Sequence, residues 1–398
     1  MALGSLLGLV SVLIWLGIWL HPARPWDFQP VGDDDPIPPP PSEWPSVCIL
    51  VPARNERESL PHTLPALLQQ DYPGSFMVVV IDDRSQDGTA EIARALANDA
   101  GAIDRLYVVN GKDLPSDWVG KVWALEQGAA VALAMRSPKY LLLTDADIRH
   151  ASSSLRRLVS ESEHRQLALN SRMARLRCVS QAERLLVPPF VFFFNLLYPM
   201  RQVNDRHSRV AAAAGGCVLL ATDALTRAGG FACIRDRVID DVSLAQQIKA
   251  QQVPLQLALS RTEVESLRVY DSILALWIMV RRTAFTELRY SWSRLTGAVV
   301  GLVLMFLLPP LWFIGGLVWS VIDTSSGIVV LSASAVCVLT GLSAWVLMAR
   351  VYQPAVRFFG LSENWVWTLP LAGFLYGAMT VDSALRYATG MRVGWRDR

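Results

Sequence analysis

Two pairs of aspartates are the residues of this 398-residue sequence best suited to chemistry. They are Asp82-Asp83 and Asp145-Ala-Asp147. Two carboxylates spaced as in Asp145-Ala-Asp147 can bind a divalent metal, and hard oxygen ligands suit Mg²⁺ or Mn²⁺ shared with substrate phosphates. Such a metal would offset the charge that builds on a departing diphosphate. Because a triplet of this kind also occurs by chance, its position in the fold has to decide its meaning.

Short apolar runs alternate with helical stretches across the middle of the sequence. The apolar runs predict buried strands at 47–51, 77–81, 106–109 and 140–143, and helices are predicted at 60–70, 89–98 and 122–135. Continuous apolar strands separated by helices indicate a parallel sheet covered on both faces. Right-handed crossovers then give a doubly wound, mostly parallel α/β domain.

The aspartate pairs fall at equivalent ends of this predicted sheet. Asp82 and Asp83 directly follow the second strand, and Asp145 and Asp147 follow the fourth. In such sheets the ligand lies beyond the carboxyl ends of the strands. One aspartate after a strand is usually a turn or cap residue, but two pairs at one edge are harder to explain that way. The sequence has neither a GxGxxG after the first strand nor a GxxxxGK[ST], which weakens dinucleotide and P-loop interpretations.

Six ordered motifs resemble the family 2 glycosyltransferases, an inverting group with a nucleotide-sugar-binding α/β domain of the GT-A type. The resemblance covers the sequence from about Val47 to Tyr290. The motifs are Val51-Pro-Ala-Arg-Asn-Glu56, Ile81-Asp-Asp-Arg-Ser-Gln-Asp-Gly-Thr89, Gly120-Lys-Val-Trp-Ala124, Thr144-Asp-Ala-Asp147, Ala214-Gly-Gly-Cys217 and Ile239-Asp-Asp241.

Within that family the sequence is most similar to the hopene-associated glycosyltransferases. The shared features are the apolar N-terminus, the Trp-x-Gly-Lys-x-Trp-Ala stretch from Trp118 to Ala124, and the segment from Arg282 to Ser291. The name implies a genomic association with squalene and hopene metabolism and does not establish an acceptor.

The resemblance implies roles on the donor side of the site. Asp83 would contact the nucleotide base, and Pro52, Ala53 and Glu56 would line the base and ribose pocket. Asp145 would lie near the ribose and the diphosphate. Two further residues complete this set, with Lys121 approaching the donor and Asp147 as the main protein ligand of a Mg²⁺ or Mn²⁺ ion.

On the acceptor side, Asp241 would be the general base that removes the proton of the acceptor hydroxyl. Asp240 would shape its loop, and Gly215-Gly216 would allow close approach of the backbone to substrate. Processive members of the family carry Gln-x-x-Arg-Trp, but this sequence has Thr286-Glu-Leu-Arg289-Tyr290. Arg289 can still pair with a diphosphate, whereas the altered platform at Tyr290 argues against synthesis of long polymers.

Composition indicates a membrane component and little else. Hydrophobic residues make up 52% and charged residues 18% of the sequence, against about 25% charged in an average soluble domain. The net charge of +2 gives no argument for nucleic-acid binding. Five cysteines without a CxxC pair favour a reducing compartment over a disulfide framework or a zinc site.

Four apolar runs are candidate membrane spans: 1–20, 298–322, 327–349 and a weaker one at 365–381. The first reads as a retained anchor, with a signal peptide as the alternative. Arginines after the first run and before the second place the segment between them in the cytoplasm. The basic tail conflicts with four full spans, so either the tail breaks the rule or one late segment is re-entrant.

These predictions divide the chain into six segments and give one leading function. The segments are an anchor (1–22), a Pro/Asp-rich linker (23–46), the GT-A domain (47–267), a membrane-surface helical segment (268–297), C-terminal membrane helices (298–385) and a basic tail (386–398). The predicted function is transfer of a sugar from a nucleotide-sugar donor, with UDP as the expected nucleotide, to a lipid or lipid-linked acceptor at a bacterial inner membrane. The alternatives are a processive polysaccharide synthase and a non-catalytic membrane scaffold.

Overall fold

A computed structural model describes residues 2–28, 30–32, 35–322 and 333–390 of the chain. Its strands are β1 Pro30–Val31, β2 Val47–Ala53, β3 Phe76–Asp82, β4 Leu106–Asn110, β5 Tyr140–Leu143, β6 Ile148–His150, β7 Leu169–Met173, β8 Val218–Ala221, β9 Leu255–Ser260 and β10 Val264–Ser266. Its α-helices are α1 Ala2–Leu20, α2 Leu60–Leu68, α3 Thr89–Asp99, α4 Gly120–Arg136, α5 Ser154–Arg165, α6 Gln181–Leu197, α7 Met200–Asn204, α8 Thr222–Arg227, α9 Asp240–Lys249, α10 Ile273–Glu287, α11 Trp292–Leu302, α12 Leu308–Ile322, α13 Ala333–Phe358 and α14 Leu369–Ala388.

The described residues fall into two compact units. An α/β unit comprises residues 30–177 and 200–269, and a helical unit comprises residues 2–28, 178–199 and 270–390. The break inside the chain places α6 with the helical unit, although the sequence around it lies in the predicted GT-A domain.

An eight-stranded mixed sheet forms the centre of the α/β unit. Its order is β1-β9-β7-β8-β5-β2-β3-β4, and β8 runs antiparallel to both of its neighbours. The four strands predicted from apolar runs are β2, β3, β4 and β5, and the pairings among these four are all parallel. The predicted doubly wound, mostly parallel GT-A fold is therefore confirmed.

Alternation along the strands explains why helices cover both faces of the sheet. In β2, Ile49 and Val51 pack with α2, α3 and α5, whereas Cys48 and Leu50 pack with α4, α8 and α9. Successive strand residues point to opposite faces, so a strand that is apolar throughout requires a helical layer on each side. All seven residues of β2 are buried accordingly.

The Pro/Asp-rich segment before β2 also contributes to the sheet. We predicted an extended linker there, and within it Pro30 and Val31 pair in parallel with Leu259 and Ser260 at the edge of the sheet. A proline is tolerated at an edge strand because its missing N–H does not interrupt a central ladder.

The helical unit contains the apolar runs of the sequence. Helices α11 and α12 are joined by a π-helical turn, Val303–Leu307, in front of Pro309 and Pro310. Those prolines lack the N–H groups that the carbonyls of Leu304 and Met305 would otherwise accept from. Ser11 Oγ and Trp15 Nε1 of α1 donate to these two carbonyls instead, at 2.9 and 2.8 Å.

Two helices in the described part of the chain are long and apolar enough to cross a membrane. They are the continuous helix over residues 292–322 and α13. The apolar part of the N-terminal helix, Leu6–Leu20, is shorter. The fourth predicted run appears as a 3₁₀ turn at Glu363–Thr368 followed by α14. The predicted polar turn at 323–326 and most of the basic tail lie outside the described residues.

Candidate active site

The carboxyl ends of β2, β3 and β5 bring the first predicted site residues together. Pro52 and Ala53 end β2, and the N–H of Asp83 donates to the Ala53 carbonyl at 2.8 Å. Asp83 is fully buried, and its carboxylate faces the guanidinium of Arg54 at 3.6 Å. Arg54 also donates to the Asp83 backbone carbonyl at 2.9 Å. The aspartate expected to read the nucleotide base is therefore held in place from both its backbone and its side chain.

The Asp145-Ala-Asp147 turn follows β5 and leads directly into β6. Burial and the neighbouring Asp145 carboxylate raise the pKa of Asp147 to about 6, with Arg268 opposing the rise and Glu56 adding to it. Glu56 is buried and accepts a hydrogen bond from Ser59 Oγ at 2.7 Å. Two neighbouring carboxylates thus raise the pKa of Asp147, so positive charge beside Asp147 is electrostatically favourable.

Lys121, in the first turn of α4, joins two of the aspartate pairs. Its Nζ lies 2.8 Å from Asp145 Oδ1 and 3.4 Å from Asp240 Oδ2. Burial by itself would lower the pKa of Lys121, but the carboxylates of Asp145, Asp240 and Asp241 outweigh burial and raise it. Lys121 is therefore a fixed positive charge between the aspartate turn and the start of α9.

Asp240 and Asp241 occupy the first turn of α9. Helix α9 begins at Asp240, and Ile239 is its cap residue. Asp241 Oδ2 accepts from the Gly215 N–H and Oδ1 from the Val242 N–H, each at 2.8 Å. Burial and the Asp240 carboxylate raise the pKa of Asp241 to about 6, while Lys121 and the two N–H groups oppose the rise.

The glycine segment lies against this cluster. A Cβ added at Gly215 would be 3.1 Å from Lys121 Nζ and 3.3 Å from Asp241 Oδ2, so a larger residue would crowd both. Thr144 Oγ1 donates to the Gly216 carbonyl at 2.9 Å and lies 2.8 Å from His150 Nε2. These contacts connect the strand end before Asp145 to the glycine segment. Pro52, Lys121, Asp145, Gly215, Asp240 and Asp241 all line one small cavity of about 10 Å³.

Arg289 and Tyr290 belong to the helical unit, in the turn between α10 and α11. Both have positive φ, 51° and 55°. Two consecutive non-glycine residues in this region cost roughly 1–2 kcal/mol each, and such conformations concentrate at functional sites. The Tyr290 ring stacks on Tyr387 with centroids 4.5 Å apart, and Thr286 Oγ1 donates to the Tyr290 hydroxyl at 3.1 Å. Their contact with a donor or acceptor stays a prediction.

Comparison with known proteins assigns a family to part of the chain. Residues 48–227 match the family described as Glycosyl transferase family 2. The chain contains a family 2 glycosyltransferase domain. This match includes Pro52, Asp83, Lys121, Asp145 and Asp147, and ends before α9 begins. Residues 48–227 are thus an enzyme domain of the glycosyltransferase class.

Two curated relatives are glycosyltransferases from different organisms. The 4,4'-diaponeurosporenoate glycosyltransferase of Staphylococcus haemolyticus is 32% identical over 126 residues, which are 31% of this chain and 30% of that protein. The glycosyltransferase AglE of Haloferax volcanii is 34% identical over 94 residues, 23% of this chain and 30% of that protein. The alignments therefore span about a third of the length of these relatives.

A solved structure supports the fold over nearly the whole chain. The mannosyltransferase PcManGT of Pyrobaculum calidifontis, in complex with GDP-Man and Mn²⁺, aligns with 97% of this chain and 99% of its own. Its TM-score is 0.52 and its sequence identity is 16%. At this identity the similarity supports the GT-A fold alone.

The carboxylates of Asp145 and Asp147 fit a divalent metal ion whose remaining ligands come from the substrate and water. Among the described residues no group of three or more His, Cys, Asp or Glu side chains is arranged to hold a metal ion. Asp145 and Asp147 alone would leave most coordination positions to water and phosphate oxygens. Mg²⁺ sites in phosphate-handling enzymes have this character, with one or two carboxylates and the rest from water and substrate.

The structure adds residues that sequence analysis did not assign. Arg54 pairs with Asp83, Thr144 and His150 connect β5 to Gly216, and Arg268 faces Asp147 at 3.9 Å. Arg54 and Thr144 lie inside quoted motifs, so their position beside Asp83 and Asp145 was a usable signal. His150 and Arg268 lie outside the motifs, and only the tertiary structure reveals their partners.

Proposed function

We propose that this protein is a membrane-bound, inverting glycosyltransferase that transfers a sugar from a nucleotide-sugar donor to a hydroxyl of a lipid or lipid-linked acceptor. The observation that carries the proposal is the junction built by Lys121. Its ammonium group bridges Asp145 of the donor-side turn and Asp240 beside the acceptor-side Asp241. One partly buried cation thus connects Asp145, inside the family 2 match, to Asp240, which follows that match in the chain.

On the donor side, the proposal assigns the nucleotide to the edge formed by β2, β3 and β5. Asp83 would accept hydrogen bonds from the base, with Pro52, Ala53 and Glu56 as its surroundings. UDP is our preferred nucleotide. PcManGT, the relative of known structure, was solved with GDP-Man, so the choice between uracil and guanine has to be measured.

Asp147 would be the main ligand of Mg²⁺ or Mn²⁺, with Asp145 beside it. When bound, the metal supplies positive charge to the diphosphate as it leaves. Lys121 acts at the same turn, because its ammonium group lies 2.8 Å from Asp145 Oδ1 and offsets the charge of that carboxylate. Asp147→Asn and EDTA should therefore abolish most transfer by the same route.

On the acceptor side, Asp241 would act as general base. As the acceptor oxygen forms its bond to the anomeric carbon, its proton passes to Asp241 and the bond from that carbon to the diphosphate breaks. The products are the glycosylated acceptor and a nucleoside diphosphate. The N–H groups of Gly215 and Val242 hold the carboxylate, which fixes its direction toward an incoming hydroxyl. A base of pKa near 6 is close to the working pH, where general-base catalysis is most efficient.

The acceptor class rests on the helices and on the curated relatives. Two helices of the described chain are long and apolar enough to cross a membrane. The Staphylococcus haemolyticus relative is named for action on diaponeurosporenoate. Both support an apolar acceptor at a bacterial inner membrane. The link with hopanoid metabolism rests on the segments Trp118–Ala124 and Arg282–Ser291 alone.

A donor and acceptor panel tests this proposal directly. Purified full-length protein would be incubated with UDP- and GDP-sugars, Mn²⁺ and extracted bacterial membrane lipids, and the products identified by mass spectrometry. We expect one lipid species to gain the mass of one sugar, and Asp147→Asn and EDTA each to suppress that product. A ladder of repeated sugars would indicate a processive synthase. If the protein neither transfers nor hydrolyses any donor, the result would support the alternative of a non-catalytic membrane scaffold.

A further inference from the structure

Arg268 is placed beside Asp147 by the backbone of a small antiparallel two-stranded sheet, β6–β10. Strand β6 starts one residue after Asp147, and its Ile148 pairs with Ser266 of β10. The N–H of Leu267 then donates to the Asp147 carbonyl at 3.0 Å. Arg268 is the next residue along the chain, so its starting point relative to Asp147 is fixed by backbone hydrogen bonds.

Buried ion pairs and a backbone hydrogen bond hold the end of the β6–β10 sheet that is farther from Arg268. Glu263, the residue before β10, is fully buried between Arg157 and Arg172, with N–O distances of 2.5 and 2.9 Å. The N–H of Ala151, just after β6, donates to the Glu263 carbonyl at 2.8 Å. Arg268 therefore projects from an element that is anchored in the α/β unit and is not a freely moving loop.

The contact between Arg268 and Asp147 is long and solvent-screened. Nη1 lies 3.9 Å from Asp147 Oδ2, and the arginine side chain is 50% exposed. A pair at this distance and exposure contributes little to stability. The guanidinium is therefore a half-exposed positive charge 3.9 Å from the carboxylate that would hold the metal, which is a position from which it can reach a ligand of the same site.

The charges expected during turnover restrict what that ligand is. A divalent metal held by Asp147 would bring a second cation close to the Arg268 guanidinium, and the two would repel each other. An anion with several oxygens can accept from the guanidinium and coordinate the metal at the same time. The diphosphate of a nucleotide sugar has this chemistry, and guanidinium groups recognise phosphate oxygens in a bidentate manner.

We propose that Arg268 binds the diphosphate of the donor, beside the metal site at Asp147. This inference rests on the proposed function. It makes Arg268 a binding residue that distinguishes a nucleoside diphosphate from a monophosphate.

The β6–β10 sheet also supplies a matched control residue, Arg149. It lies on β6 between the buried Ile148 and His150, so its side chain points to the opposite face from theirs. Arg149 is 52% exposed and pairs with Glu265 on the neighbouring strand. Arg149→Ala removes the same charge from the same element without touching Asp147.

The test is nucleotide binding by full-length protein in detergent, measured calorimetrically with UDP, UMP, GDP and GMP in saturating Mn²⁺. For the diphosphate that the wild type binds, Arg268→Ala should weaken binding about 10- to 100-fold, as expected for loss of charged hydrogen bonds. Binding of the matching monophosphate should change by less than about twofold. Arg268→Lys should fall between, and Arg149→Ala should match the wild type.

The outcomes separate this inference from the proposed function. If the wild type binds a diphosphate and Arg268→Ala binds it equally well, Arg268 is not a diphosphate ligand. Equal loss of diphosphate and monophosphate binding would also overturn the inference, because it would mean a general disturbance of the site. If the wild type binds neither UDP nor GDP, the nucleotide-sugar function itself is wrong, and the role of Arg268 with it.

Discussion

Asp241 has the environment that a general base requires. Its two carboxylate oxygens each accept one backbone N–H, and Lys121 lies close enough to oppose the effects of burial. Its neighbour Asp240 is instead paired with Lys121 at 3.4 Å, which ties up its charge. The two adjacent aspartates therefore have different surroundings, and their exchange for asparagine should have different effects.

We predict that Asp241→Asn reduces transfer by roughly 10²- to 10⁴-fold and leaves nucleotide binding intact, because it removes the base while the amide oxygen still accepts one of the two backbone N–H groups. Asp240→Asn should be milder, since it weakens one of two pairs to Lys121. Turnover of the acceptor and calorimetric nucleotide binding measure the two effects. Near-normal turnover in Asp241→Asn with a severe loss in Asp240→Asn would reverse the assignment.

The pKa of Asp241 also predicts an acid limit to activity. The base must be ionised to accept a proton, and its pKa is raised to about 6. At saturating Mn²⁺, kcat/KM should therefore be level above about pH 6 and fall below it with decreasing pH. Lys121→Met removes a cation that lowers this pKa, so the limit should move to higher pH. A profile unchanged in Lys121→Met would show that another group sets the limit.

At the scale of elements, the buried ion cluster next to the β6–β10 sheet predicts how substitutions change the free energy of unfolding. Arg172 pairs with Glu161 and Glu263, and Arg157 also pairs with Glu263, all of them buried. Removing the Glu263 carboxylate leaves Arg172 with Glu161 and takes the Glu263 charge away from Arg157, so the buried positive charge is less well compensated. Glu263→Gln should lower the free energy of unfolding by roughly 3–5 kcal/mol.

Glu265→Gln is the control for that substitution. Glu265 lies two residues away on β10 and makes a partly exposed pair with Arg149, so its loss should cost less than about 1 kcal/mol. Urea unfolding followed by tryptophan fluorescence would compare the variants. Similar urea midpoints for Glu263→Gln and Glu265→Gln would mean that the buried ion cluster does not stabilise the protein.

The same cluster explains which elements the sequence could predict. Strands β2 to β5 were predictable because each is a continuous apolar run. Strand β7 reads Leu-Asn-Ser-Arg-Met, and its polar residues are buried. The burial of Arg172 depends on Glu263, 91 residues later in the chain. A local pattern contains no information about such a partner, so β7 was missed.

The candidate site divides in the same way. Motifs predicted Asp83, Asp145, Asp147 and Asp241, because each follows a recognisable local pattern. The contacts of Lys121 with Asp240 and of Arg268 with Asp147 join residues more than a hundred positions apart. Only the pairing of β6 with β10 and the packing of α4 beside α9 bring these residues together.

At the scale of the whole molecule, the proposed membrane attachment predicts on which side of the membrane the α/β unit lies. Two apolar helices, residues 292–322 and α13, meet the length and composition of membrane spans. Arg281, Arg282, Arg289 and Arg294 precede or open the first of them. Positive residues next to spans favour the cytoplasmic side. Nucleotide sugars are also made there, so donor supply and charge agree.

Cysteine labelling in intact cells tests this orientation. Ser152 is exposed in the loop between β6 and α5, so Ser152→Cys in a background without the five native cysteines presents a reactive thiol. We expect an impermeant maleimide to leave this thiol unlabelled in intact cells and to label it after permeabilisation, which also controls for its accessibility. Equal labelling before and after permeabilisation would place the α/β unit outside. The donor would then have to be a sugar carrier available on that side, and the cytoplasmic nucleotide-sugar mechanism would fail even with the active-site geometry intact.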